Sequence, residues 1–158
     1  MKKFTFSLEI YAYIAIGLLF LSFSWAGPAI EEAGYMQQKL TAHYNSEPGG
    51  KTVKRYELHI TEEGFCRYKR FFTNGKIEYF SCNIRNFKEL DYSGTVAAGT
   101  LYIRTKTDDV IVQTYNTKRG GDVDSMATFM AIPLKNLEAE DLVDLAAKFQ
   151  EMNVKLHQ

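Results

Sequence analysis

Two three-residue turns, Glu62-Glu63-Gly64 and Thr73-Asn74-Gly75, divide the middle of the chain into three runs of alternating polarity. Tyr56, Leu58 and Ile60 alternate with Arg55, Glu57 and His59, the period of a strand with one buried face. Phe65 to Phe72 and Lys76 to Ile84 follow as a second and a third strand. A three-residue loop ending in glycine fits a type I turn closed by a left-handed residue, and such a turn fixes the register. With Thr61 opposite Phe65, Ile60 stands beside Cys66, Leu58 beside Tyr68 and Glu57 beside Lys69. With Phe72 opposite Lys76, Cys66 faces Cys82, Tyr68 faces Phe80 and Arg70 faces Glu78. One face then carries Tyr56, Leu58, Ile60, Cys66, Tyr68, Phe80 and Cys82, mainly apolar. The other carries Glu57, His59, Arg67, Lys69, Tyr79, Ser81 and Asn83, mainly polar. A slip of one residue would exchange the faces and set Cys66 against Asn83.

Around this unit the pattern predicts further elements. Ile30, Ala33, Met36, Leu40 and Tyr44 recur every three to four residues, so Pro28 to Tyr44 reads as an amphipathic helix ended by Ser46-Glu47-Pro48-Gly49-Gly50. Phe87 to Tyr92 is a short fourth strand. Thr100 to Thr105 and Val110 to Tyr115 read as a hairpin around Lys106–Asp109, with Ile103 opposite Val112. Val123 to Ile132 is a seventh strand, ended by Pro133. Asn136 is placed to cap a final helix whose stripe is Leu142, Leu145, Ala146, Phe149 and Met152, with Glu138, Glu140 and Asp141 at its positive end. The expected fold is α+β: an antiparallel meander of about seven strands with an N-terminal and a C-terminal helix. Its element order is that of a curved half-barrel of the pleckstrin-homology kind, an analogy of order that carries no function.

The N-terminus has a secretory layout. Lys2 and Lys3 precede a charge-free run from Tyr11 to Trp25, and Ser24-Trp25-Ala26 offers small residues at the −3 and −1 positions. The run is short of the roughly 20 residues that span a bilayer as a helix. The expected organisation is a signal peptide over residues 1–26, cleaved before Gly27, and a single domain over 27–158, exported to a periplasmic or extracellular location. Loss of Lys2, Lys3 and Glu9 leaves 17 basic and 18 acidic residues, so charge gives no case for nucleic acid or an anionic membrane. Trp25, the only tryptophan, leaves with the signal, which takes away the usual stacking platform of a carbohydrate-binding module. In an oxidising compartment Cys66 and Cys82 read as a disulfide. A metal there would need more ligands than His59, the one histidine nearby.

Candidate chemistry is thin. His43, His59 and His157 have no partner at a familiar spacing and read as exposed bystanders. Asp122, Asp124 and Ser125 fall short of the six to eight oxygens of a calcium loop, and Lys118 and Arg119 would oppose a cation. Arg67-Tyr68-Lys69-Arg70 looks like a basic patch, but alternation sends Arg67 and Lys69 one way and Arg70 the other, with Glu57 and Glu78 across from it. No G-x-S-x-G, H-E-x-x-H or Walker-type glycine loop is present.

The sequence therefore supports a non-enzymatic interaction domain, without cofactor or metal, for a protein or another envelope component. The alternatives are a carrier of an apolar ligand in a curved-sheet cavity and a hydrolase with an unfamiliar site. In a meander, Ser46–Lys51, Thr73–Gly75, Ser93–Gly99 and Asn116–Asp122 gather at one end. Glu62–Gly64, Asn83–Asn86, Lys106–Asp109 and Pro133–Asn136 gather at the other. The first set contains glycine throughout and can let a partner approach the backbone. That reasoning places the contact surface at Asn74, Asn116, Lys118, Arg119 and Asp122.

Overall fold

The computed structural model describes residues 29–50, 53–116 and 121–158. Residues 1–26, expected to be a signal peptide, and the loop residues Lys118 and Arg119 lie outside the described residues. Helix α1 (Ile30–Ala42) is followed by a single helical turn at Pro48–Gly50 and by eight strands. These are β1 (Val53–Ile60), β2 (Phe65–Phe72), β3 (Ile77–Asn83), β4 (Phe87–Gly94), β5 (Gly99–Thr105), β6 (Val110–Tyr115), β7 (Val123–Ala127) and β8 (Phe129–Leu134). Helix α2 (Ala139–Lys155) ends the fold. The strands form a five-stranded sheet in the order β1-β2-β3-β6-β7 and a three-stranded sheet in the order β4-β5-β8, with every neighbour antiparallel. The α+β class, the antiparallel strands and the two terminal helices are those expected.

The central register is the one that the glycine turns dictate. Cys66 stands opposite Cys82, Tyr68 opposite Phe80, Arg70 opposite Glu78 and Leu58 opposite Tyr68. Both turn glycines have the positive φ that the turn type needs, +90° at Gly64 and +87° at Gly75. Gly64 has a second constraint, because a Cβ there would lie 2.3 Å from Leu156 Cδ1.

Beyond β3 the path departs from a simple meander. Asn83 accepts the Arg85 N–H at 2.9 Å and starts a helical turn, Ile84–Asn86, that carries the chain into the second sheet. Asn153 of α2 holds that corner by donating to the carbonyls of Ile84 (2.7 Å) and Arg85 (2.9 Å). β3 consequently lies beside β6, and Ile103 pairs with Leu90 and Met130 rather than with Val112. The Lys106–Asp109 connection is thus a crossover between sheets and not a hairpin. The Lys106 N–H is bound to Asn86 O, and Thr105 donates to the Thr107 carbonyl, which turns the chain out of plane. The long last strand is divided at Thr128, whose carbonyl turns to Thr105 N–H; β7 stays in the first sheet and β8 joins the second.

That division also reverses the exit of β8. Asn136 N–H and Leu137 N–H donate to Ala97 and Val96 carbonyls, so the Pro133–Asn136 segment sits with the Ser93–Gly99 loop and not with Glu62–Gly64. Asn136, at φ +52°, is part of this link rather than a helix cap. The first turn of α2 is closed by Asp141, which accepts the Glu138 N–H at 3.1 Å.

The two helices pack on each other, α1 also on β1 and α2 on β4. Met36, Leu40, Tyr68, Leu101, Met130, Ile132, Leu145 and Phe149 fill the interior between helices and sheets. Lys39–Asp141 (2.5 Å) and Lys155–Glu32 (2.7 Å) tie the helices together. His43 takes part in this link, its Nδ1 lying 3.1 Å from Lys135 O and its Nε2 4.0 Å from Asp141. His157 is likewise engaged, at 2.7 Å from Asn153 O, while His59 is exposed.

Candidate functional site

The inner face of the five-stranded sheet is unevenly covered. At the Glu62–Gly64 end Leu58, Ile60, Cys66, Cys82 and Val110 are buried. Toward the Thr73–Gly75 end the rung Tyr56–Arg70–Glu78–Thr114–Val123 crosses all five strands, and each of its residues is half-buried or exposed. Alternation puts Arg70 on the same face as Tyr68, beside core residues rather than in free solvent.

Arg70 is held from several sides. Its Nε donates to Glu78 Oε2 at 2.5 Å, and Lys76 Nζ donates to Glu78 Oε1, also at 2.5 Å. Its guanidinium lies 5.8 Å from the Tyr68 ring centre, 5.3 Å from Phe72 and 5.5 Å from Phe80. Arg70 thus lies beside Tyr68, whose hydroxyl pairs with that of Tyr44 at 2.8 Å, and Tyr44 stacks on Tyr56 at 3.6 Å. A polar chain Tyr44–Tyr68–Arg70–Glu78–Lys76 therefore runs from the core to the surface. Burial raises the Glu78 carboxyl, but Lys76 and Arg70 outweigh it and hold the group below its ordinary value. Burial raises both phenols; in Tyr44 the bond to Tyr68 adds to the rise, whereas in Tyr68 the Tyr44 and Arg70 contacts oppose it. The set thus holds two cations around one carboxylate, with neutral tyrosines, and is suited to orienting a polar partner.

Arg70, Phe72, Lys76 and Glu78 line a cleft of about 360 Å³ with Pro48 and Asn74. On the outer side of the same strand ends, Arg55 lies 4.1 Å over the Phe71 ring, in a second cleft of about 450 Å³ shared with Lys54, Gly75 and Ile77. Three of the residues expected at the contact surface meet here. Asn74 accepts the Lys76 N–H at 3.0 Å, Asn116 Nδ2 donates to Gly75 O at 3.4 Å, and Asp122 accepts the Asn116 N–H at 3.2 Å. Asp122 therefore closes its loop, and Asp124 and Ser125 point to opposite faces of β7, so the three do not converge on a cation. Lys118 and Arg119 lie outside the described residues.

The sequence reading missed Arg70, Lys76, Glu78, Phe72 and Pro48 as a group. The available signal was an arginine on the apolar parity with a glutamate directly opposite. Glu57, expected to offset Lys69, pairs instead with Arg55 on its own strand at 3.1 Å. Cys66 and Cys82 are buried neighbours and free thiols in the structure, with Cys66 Sγ 3.9 Å from Met130 Sδ. The Cys82 contact and burial push the Cys66 thiol up. Comparison with protein families, with curated proteins and with solved structures returned no match.

Proposed function

We propose that this chain is an exported, non-enzymatic binding domain whose partner, a protein or another envelope component, seats on the open half of the inner sheet face. The observation that carries the reading is the uneven cover of that face. One half is sealed by helices and core, and the other presents a preorganised Arg–Glu–Lys set between aromatic rings. Fixing a polar chain in place before contact lowers the ordering cost of binding. The interior is filled by side chains as large as Tyr68 and Phe149, so the support falls on surface recognition rather than on carriage of an apolar ligand. Export rests on the N-terminal layout, with cleavage before Gly27.

The disulfide belongs to the same proposal. Counting ladder positions back from the Thr73–Gly75 turn makes Cys66–Cys82 a hydrogen-bonded pair, for which Cα atoms stand about 5.5 Å apart, inside the range a disulfide spans. Closing this short loop is worth roughly 3 kcal/mol in the chain-entropy model. Exported protein should resist alkylation until reduced, and reduction should lower its melting temperature; two freely reacting thiols would overturn the bridge.

The site is tested by capturing the partner with photo-crosslinking from the exported fraction and mapping amide shifts on the labelled domain. Shifts should centre on Asn74, Lys76, Thr114 and Asn116. Shifts confined to Glu62–Gly64 and Lys106–Asp109 would place the contact at the sealed end and refute the site.

A further inference from the structure

The two edges of the five-stranded sheet are treated differently. At β1 two of the outward backbone groups are occupied, because Gln37 of α1 donates to Leu58 O at 2.7 Å and accepts the Ile60 N–H at 2.8 Å. At β7 Val123, Asp124, Ser125 and Met126 are all exposed, and no strand pairs with its outer edge among the described residues. Of the usual edge guards the strand has its short length and Asp124; it has no proline and no lysine, and its pairing with β6 has no bulge. Its exposed side chains include Val123 at 50% and Met126 at 54%, with Ile111 of β6 at 42% beside Met126.

Register fixes how a second copy can fit this edge. The Glu62–Gly64 turn makes Thr61–Phe65 a bonded pair, so Leu58 and Ile60 turn their backbone outward, where Gln37 meets them. Carrying the same alternation through β2, β3 and β6 leaves Asp124 and Met126 with outward N–H and C=O groups on β7. A second β7 added antiparallel about a two-fold axis must therefore be centred on 124, 125 or 126. Centring on 124 opposes Asp124 to its own copy, a like-charge pair. Centring on 126 needs the Thr128 carbonyl, which is already bound to Thr105. Centring on Ser125 pairs Asp124 with Met126 of the second copy and Val123 with Ala127, and closes four backbone hydrogen bonds without opposing charges.

We propose that two copies of this chain associate through β7, antiparallel about Ser125, into a ten-stranded sheet. A two-fold axis perpendicular to the sheet puts both inner faces on the same side. The paired strands bury Val123 and Met126, and the outer face joins Ile111 and Met126 of the two copies into one apolar strip. The experiment uses the full exported chain. Sedimentation velocity over a range of concentrations should show a monomer–dimer equilibrium. Met126→Pro removes an outward N–H while leaving the β6 ladder bonds in place, and should weaken association at least tenfold with an unchanged far-UV spectrum. Ser125→Cys places two thiols across a closely spaced non-bonded pair and should form a covalent dimer on mild oxidation, much faster than Val143→Cys on exposed α2. A monomer at every concentration, a dimer indifferent to Met126→Pro, or equal cross-linking at 125 and 143 would each overturn the proposal.

Discussion

Replacing Tyr68 with phenylalanine probes the polar chain at its most buried point. Tyr68 and Tyr44 are both buried, and their hydroxyls are 2.8 Å apart. Tyr68→Phe leaves the Tyr44 hydroxyl in the core without its partner, at a cost of about 1–3 kcal/mol for a stranded buried polar group. It also removes one Arg70 contact, but Arg70 keeps Glu78 and a route to solvent. Tyr44→Phe is milder, about 0.5–1.5 kcal/mol, because the Tyr68 hydroxyl keeps the polar Arg70 beside it. In the double variant no hydroxyl is stranded, so its loss should fall below the sum of the single losses by about 1–2 kcal/mol. Urea unfolding followed by circular dichroism, with equal m-values across the four proteins, reads this coupling directly. Strict additivity would show that the hydroxyls do not act on each other, and the chain from core to cleft would lose its inner link.

Other perturbations test separate parts of the argument. Gly64→Ala should cost about 1 kcal/mol more than Gly75→Ala in the same unfolding assay; both glycines have positive φ and share the backbone strain, but only Gly64 abuts Leu156, so the difference is the overpacking alone. Lys155→Ala should destabilise more than Glu32→Gln, since it strands a carboxylate whose side chain is 3% exposed, whereas the lysine, at 42%, can turn to water; equal losses in thermal unfolding would contradict this. Burial raises Glu78, but Lys76 and Arg70 leave it lowered on balance, so its contribution is present above the unfolded carboxylate pKa and lost as pH falls through the folded one. The midpoint of acid unfolding should move to higher pH in Lys76→Ala; an unchanged midpoint would remove Glu78 from the stability argument. Tyr44 is raised, by burial first, so its contribution should fade as pH rises above about 10, the free phenol value, and Tyr44→Phe should reduce the alkaline loss of stability, with Tyr68, raised by burial as well, supplying part of what remains.

The turn-bounded core of the sheet was legible because two glycines fixed two registers, and each register put apolar residues on one face. Nothing so local governs the crossovers. The Asn83–Asn86 corner depends on Asn153, about seventy residues later, and the Thr128 break depends on a carbonyl captured by Thr105. Both are tertiary events that no period in the sequence reports. The site was legible in part: loop chemistry brought Asn74, Asn116 and Asp122 to one end. Arg70 was assigned the right face and the right partner, yet its half-buried state depended on aromatic neighbours from three separate positions. A strand pattern gives the direction of a side chain but not how much of the face above it remains uncovered.

The Gln37 carboxamide has a consequence for growth rather than for stability. A sheet with both edges open is a bivalent monomer, and bivalent monomers polymerise by step growth into chains of unlimited length. By occupying the Leu58 carbonyl and the Ile60 N–H at the middle of the β1 edge, one side-chain amide lowers the valence of this sheet to one. A monovalent unit stops at two. In a five-stranded antiparallel sheet β1 and β7 run in the same direction, so uncapping β1 would permit head-to-tail parallel addition by translation alone. The difference between a countable assembly and a filament then rests on two hydrogen bonds from a single residue of α1.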